Sequence, residues 1–314
     1  MTEKNLKPKK SKLIIITAVF LIFIIIAGLI LRFIVFPMNR DIVDSNYVPD
    51  KIIDHVDASR IKYYLENNED TVNKISEYNW LFAHASVGTD MIGGMKLLND
   101  SNPEIFPLII EPSLEKITSK LNPGRIYEIP RGNPGVTKKF ELFHDYISER
   151  NWGSFVDIAI NKFCYIDIPK YDYSKTTEQN AQIAENLATQ YIENYTDLEN
   201  EFSNVKFIYM TMPITKNNDI PNFMRICFNQ KIREHCKSSG AFLFDIADIQ
   251  CHDLDENKKE FSLDSLPLES LYSLNYRPEG MIDSYTWDGG HLNHLGKQRV
   301  AKAWYALAAA IALS

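Results

Sequence analysis

A serine in the first third of the chain and an Asp/His turn near its end have the types and spacing to do chemistry together. Ser86 lies in His84-Ala85-Ser86-Val87-Gly88, directly after the apolar run Trp80 to Ala83 and before a helix-period segment from Asp90 to Leu98. Far along the chain, Trp287-Asp288-Gly289-Gly290-His291-Leu292-Asn293-His294 precedes another helical segment. An aspartate three residues before a histidine can hold one imidazole nitrogen by a hydrogen bond, leaving the other to take a serine proton. The two glycines permit the tight turn this needs. A turn leading from a strand into a helix also offers backbone N–H groups, backed by the positive end of the helix dipole, to an oxyanion. Each signal has a plainer reading: Ser86 as a helix N-cap, the Asp/His turn as a solvated loop before a capped helix. A divalent ion on Asp288, His291 and His294 is a competing chemistry, weakened by the absence of a further ligand cluster at matching spacing.

Bringing residues 86 and 288–291 together requires a sheet, and the pattern supplies a parallel one. Short apolar runs at Trp80 to Ala83, near Arg125 to Ile129, at Val156 to Ile160 with a continuation to Ile168, at Val205 to Met210 and at Ala241 to Ile246 read as strands. Helix-period segments separate them, the clearest being 177–202, where Ile183, Leu187, Tyr191 and Tyr195 recur four apart. Further helices are predicted to end near Ile147, over 221–239 before Gly240, and over 295–312, where Val300, Trp304 and Leu307 should face the sheet. Residues 250–285 lack periodicity and read as a long loop with short helical pieces. In parallel α/β sheets, sites form at the carboxyl ends of strands, where Ser86 falls. Gly88 should allow a tight turn there, and Gly93-Gly94 the close approach of another segment.

The serine after the first strand and the Asp-x-x-His before the last helix resemble the SGNH (GDSL-like) hydrolase superfamily over residues 79 to 314. The resemblance implies a flavodoxin-like three-layer α/β/α fold with a parallel sheet. It also implies carboxylic-ester hydrolysis by Ser86, His291 and Asp288, with no metal or organic cofactor. The family's Gly-Asp-Ser is replaced here by the H-x-S-V-G form of a divergent subgroup. Family oxyanion holes use the serine N–H, a glycine N–H from a second block and an asparagine side chain from a third. Gly132 or Gly135 matches the second. Cys164-Tyr165-Ile166-Asp167 falls on the third block's Gly-x-Asn-Asp, so Ile166 stands in place of the asparagine. Asn133 is the expected substitute donor, with Asn161 and Lys162 behind it; Lys162 and Asp167 are expected near the substrate, as is His84, there to contact it or, the favoured reading, to pack beside the sheet. The implied activity is an esterase or deacetylase acting on an ester-bearing small molecule or an acetylated cell-envelope glycan. Alternatives are an envelope-glycan O-acetyltransferase and a carbohydrate-binding domain that has lost catalysis.

Residues 13–36 are apolar except for Arg32, long enough at 1.5 Å rise per residue to cross a bilayer as a helix. Five lysines precede them against one acid, which predicts a cytoplasmic basic tail at 1–12, a signal anchor at 13–36 and everything beyond on the extracytoplasmic side of the cell membrane. Residues 37–77 read as a juxtamembrane spacer with one or two short helices, and 78–314 as the hydrolase domain. Beyond residue 40 there are 27 basic and 40 acidic residues, a net charge of −13, which argues against a nucleic-acid partner. Four scattered cysteines, Cys164, Cys227, Cys236 and Cys251, define neither a disulfide scaffold nor a CxxC metal site, and their pairing is left open. Oligomeric state is not written in the pattern.

Overall fold

Strand β2 (Trp80–His84) sits at the centre of the sheet and alternates its side chains between two cores. Trp80 and Phe82 enter one; Leu81 and Ala83 enter the other. A strand covered by helices on both faces is buried throughout, and every residue of β2 is. The computed structural model describes residues 41–112, 121–216, 220–260, 276 and 279–314, of which Asp41–Ser314 forms one unit. The expected anchor at 13–36 lies outside the described residues, among which no helix is long and apolar enough to cross a membrane.

Around β2 the parallel strands run in the order β3 (Ile109–Glu111), β4 (Arg125–Pro130), β2, β5 (Ile158–Asn161), β6 (Lys206–Phe207). A second set pairs β7 (Tyr209–Met210) with β8 (Leu243–Phe244), and β8 with β1 (Ile52–Ile53). The two sets are one sheet. Ile208 N–H donates to Ala159 O at 3.1 Å and Tyr209 N–H to Phe242 O at 3.0 Å, so residues 206–210 are a single run bonded to β5 on one edge and β8 on the other. Leaving aside β1 and β3 at the edges, the order is that of a flavodoxin-like sheet, whose switch point falls at the carboxyl end of β2. Helices α1 (His55–Glu66), α2 (Glu69–Ile75), α3 (Val87–Ser101) and α8 (His294–Leu313) pack on one face. Helices α4 (Val136–His144), α5 (Thr177–Glu201) and α6 (Ile220–Ser239) cover the other, while α7 (Ile246–Cys251) follows β8.

Two expectations are corrected. Residues 41–77 are not a spacer. β1 pairs in register with β8, and Ile53, Ala58, Ile61 and Ile75 are wholly buried. The cause is α8, buried from Arg299 to Ala312 and apolar on all sides from Ala303 onward, with the buried Arg299 bonded to Ser59 and Lys302 to Asp41. The sheet covers one side, with Trp304 packed 5.3 Å from Trp80, and α1 and α2 help cover the rest. Second, the apolar run at 156–168 leaves the sheet after Asn161: Lys162 bonds within the loop and Asp167 pairs with Lys139 of α4.

Gly94 allows the close approach expected of it. A Cβ there would lie 2.1 Å from the carbonyl oxygen of Lys297, so α3 can meet α8 only through a glycine. Gly94→Ala is expected to destabilise the fold by about 1–3 kcal/mol through overpacking, read as a lower denaturant midpoint at unchanged slope.

Candidate active site

Ser86 ends the loop between β2 and α3 with φ 54° and ψ −114°, a conformation non-glycine residues seldom adopt. It occupies the N-cap position of α3, yet its side chain makes no capping bond. The hydroxyl instead lies 2.6 Å from His291 Nε2. On the other side of the ring, His291 Nδ1 is 2.6 Å from Asp288 Oδ2. A proton on Nδ1, donated to the carboxylate, leaves Nε2 as the acceptor for the serine hydroxyl. Both ring nitrogens are thereby occupied by Ser86 and Asp288, which counts against the metal reading.

Asp288 is fixed by its own turn. Its Oδ1 accepts the backbone N–H groups of Gly290 at 2.9 Å and His291 at 2.7 Å. Burial works against the charge but is outweighed by the hydrogen bonds from the His291 ring and from these two N–H groups, and the carboxyl is held down at about 2. The turn is closed by the antiparallel bridge Thr286↔Leu292 and by Gly289 N–H donating to Thr286 Oγ1 at 2.8 Å. Asn293 then caps α8, accepting from Gly296 N–H at 3.1 Å. Asp90 couples the two halves of the site: its Oδ2 accepts Leu292 N–H at 3.0 Å, and its Oδ1 pairs with Lys297 at 2.9 Å. The sequence presented Asp90 only as an acid in the first turn of a helix. Its partners, 202 and 207 positions away, had no local signature.

The second-block loop follows β4. Arg131 N–H donates to His84 O at 3.0 Å and Pro130 is in register with His84, so Gly132 emerges beside the Ser86 loop at the carboxyl edge of the sheet. Gly132 and Gly135 have φ of 69° and 95°, with open space where a Cβ would stand. The Ser86 N–H has no acceptor among the described residues, which leaves it for an oxyanion. Asn133 is exposed, and its Oδ1 accepts from Lys139 Nζ at 2.8 Å.

Of the residues expected at the substrate side, His84 packs beside the sheet, the structural role favoured for it, and Lys162 and Asp167 are buried supports. His84 is wholly buried, stacked on Phe82 and 3.2 Å from Glu128; burial lowers its pKa against the pull of that carboxylate. A Cβ at Gly88 would lie 2.4 Å from His84 Cβ, so the glycine serves close packing against this ring. Lys162 is also fully buried, donating to Phe163 O at 3.0 Å, and burial lowers its pKa. Asp167 is bonded to the buried Lys139 Nζ and accepts Cys164 N–H at 2.6 Å. It closes the turn 164–167 and, through Lys139, ties that turn to Asn133. Ile166 points outward, 57% exposed. Sequence reasoning passed over Tyr165 and Trp287. The Tyr165 ring meets His291 edge-on at 5.9 Å, and Trp287, 72% exposed, stacks on His291 at 5.8 Å.

All four cysteines are buried free thiols. Among the described residues, His55, Asp248 and His252 form one group with metal-ligating atoms close together, and Asp248, Cys251 and Glu279 another. The His55 and His252 rings lie parallel, 3.6 Å apart at 12°, so their lone pairs do not converge on one ion. His55 Nδ1 is 2.5 Å from Asp248 Oδ2, a clamp between α1 and α7.

No protein-family model matches the chain, and no curated protein matches it in sequence. Solved structures do. The acetyl xylan esterase AlAXEase is 13% identical with a TM-score of 0.43, over 72% of this chain and 98% of its own. A catalytic mutant of Axe2, an acetylxylan esterase from Geobacillus stearothermophilus, is 13% identical at a TM-score of 0.40, over 74% and 94%. A GDSL-like lipase from Bacteroides thetaiotaomicron is 8% identical at 0.38, over 80% and 95%. The chain is thus similar to solved esterases and lipases of this kind, and the chemistry of its site is read from its own atoms.

Proposed function

We propose that this chain is a carboxylic-ester hydrolase of the esterase or deacetylase type, with Ser86 as nucleophile, His291 as base and Asp288 as the group that orients and stabilises the imidazole. The observation that carries this reading is the unbroken pair of 2.6 Å contacts from Ser86 Oγ to His291 Nε2 and from His291 Nδ1 to Asp288 Oδ2. Ser86 Oγ attacks the ester carbonyl as its proton passes to His291 Nε2. The imidazolium then protonates the departing alcohol, and a water activated by the same nitrogen releases the acid from the acyl-enzyme. Asp288, ionised at any pH well above about 2, stays charged throughout.

The substrate proposed is an acetylated glycan of the cell envelope. In support, Trp287 offers an exposed flat apolar face beside His291, on which a sugar ring can lie while its acetyl group enters. The anchor at 13–36 and the extracytoplasmic placement of the domain belong to the same proposal and rest on apolar length and charge asymmetry. The full chain in detergent is expected to turn over a short-chain aryl ester and to be labelled by a fluorophosphonate on the peptide that contains Ser86, as mass spectrometry would show. Labelling elsewhere, or none, would remove the assignment. External protease should reach the domain in intact cells; protection until the cells are opened would overturn the topology.

A further inference from the structure

The triad accounts for proton transfer, and Ile166, in the place of the third-block asparagine, has no side-chain polar hydrogen to offer the oxyanion. Its neighbour does. The turn 164–167, closed by Asp167 on Cys164 N–H at 2.6 Å, brings Tyr165 to the face of the triad. The phenol packs against the Asp/His turn so closely that a Cβ at Gly290 would lie 3.1 Å from Tyr165 Oη. Arg225 holds the residue from behind: Nε donates to Tyr165 O at 2.8 Å, and the guanidinium lies over the ring at 5.6 Å. Burial first and the Asp288 charge second raise the pKa of the phenol, so it keeps its proton and remains a donor.

We propose that Tyr165 is the side-chain donor of the oxyanion hole, doing with a phenol O–H what an asparagine N–H would do from the next position. This rests on the serine hydrolase reading. As the Ser86 Oγ–carbon bond forms, the carbonyl π pair moves onto oxygen, and the Tyr165 O–H and Ser86 N–H donate to that oxygen. Collapse restores the carbonyl and breaks the bond to the alcohol oxygen, which takes the proton held by His291. The Tyr165 proton is never transferred.

The test is Tyr165→Phe in the full chain, assayed on an aryl acetate and on its thionoester, in which sulfur, a poor acceptor, replaces the carbonyl oxygen. Removal of one such donor typically costs about 100- to 1000-fold in kcat. The variant is expected to lose that much with KM within about twofold, and to lose most of the wild-type preference for the oxygen ester. An unchanged oxygen-to-sulfur preference, or unchanged kcat, overturns the proposal. Tyr165→Phe keeps the ring, and an unaltered Tm will show that the fold is retained. If the wild type itself neither turns over ester nor takes the fluorophosphonate, the serine hydrolase reading has failed, and the Tyr165 proposal with it.

Discussion

Ser86→Ala is expected to lower kcat by about 10⁶-fold and Asp288→Asn by about 10⁴-fold, with little change in KM in either case. The first removes the atom that bonds to the substrate. The second keeps the shape of the turn but exchanges an acceptor for an amide, so Nδ1 can no longer donate a proton to a charge and the tautomer that leaves Nε2 free is lost. Single-turnover kinetics on the full chain would check both. The same substitution has a pH signature in stability. Because the folded-state pKa of Asp288 is depressed to about 2, its contribution is fully present above its ordinary value near 3.8 and disappears as pH falls through about 2. The stability gap between wild type and Asp288→Asn should therefore narrow as pH falls from about 3.8 through about 2, as chemical denaturation across that acid window would reveal.

Asp167→Ala is expected to destabilise the protein by about 3–5 kcal/mol, the usual cost of leaving one member of a buried ion pair alone. Lys139 is wholly buried and Asp167 only 8% exposed, so water cannot replace the lost partner. Burial already lowers the Lys139 pKa, and without Asp167 the amine should shed its proton more readily still. Replacing both residues with apolar side chains of similar volume should restore much of the stability without restoring kcat, because the carboxylate also closes the turn that presents Tyr165. Denaturant midpoints at equal slope, set beside kcat for the single and double variants, separate the two roles.

Such a turn shows what could be read from the sequence and what could not. Ser86 and the Asp288 to His291 turn were legible because each is a local arrangement: a residue at the end of an apolar run, and a carboxylate three positions before an imidazole. Helix α5 was legible for the same reason, with Leu187, Tyr191 and Tyr195 all buried along one stripe. Lys162 and Asp167 were misplaced because a charge in a loop near a strand end looks available to substrate, and nothing local indicates a cation 28 positions back. Asp90 was undervalued on the same grounds. Residues 41–77 were misread because their polar, Asp-rich composition outweighed a few apolar positions. β1 is two residues long, and its partner lies in β8. Asp54, with its capping box on α1, was the one local sign that a built helix starts there.

The pairing of Ile52 with Leu243 and Ile53 with Phe244 has a consequence for how the domain is made. This edge of the sheet is joined across about 190 intervening positions, so one of the first described segments to be synthesised is among the last to find its place. Until β8 and α8 emerge, α1 and α2 have no apolar surface to cover, and until α1 and α2 dock, α8 lacks part of its cover. The triad, with Ser86 on one side of that wait and His291 on the other, would be assembled only when the domain is finished.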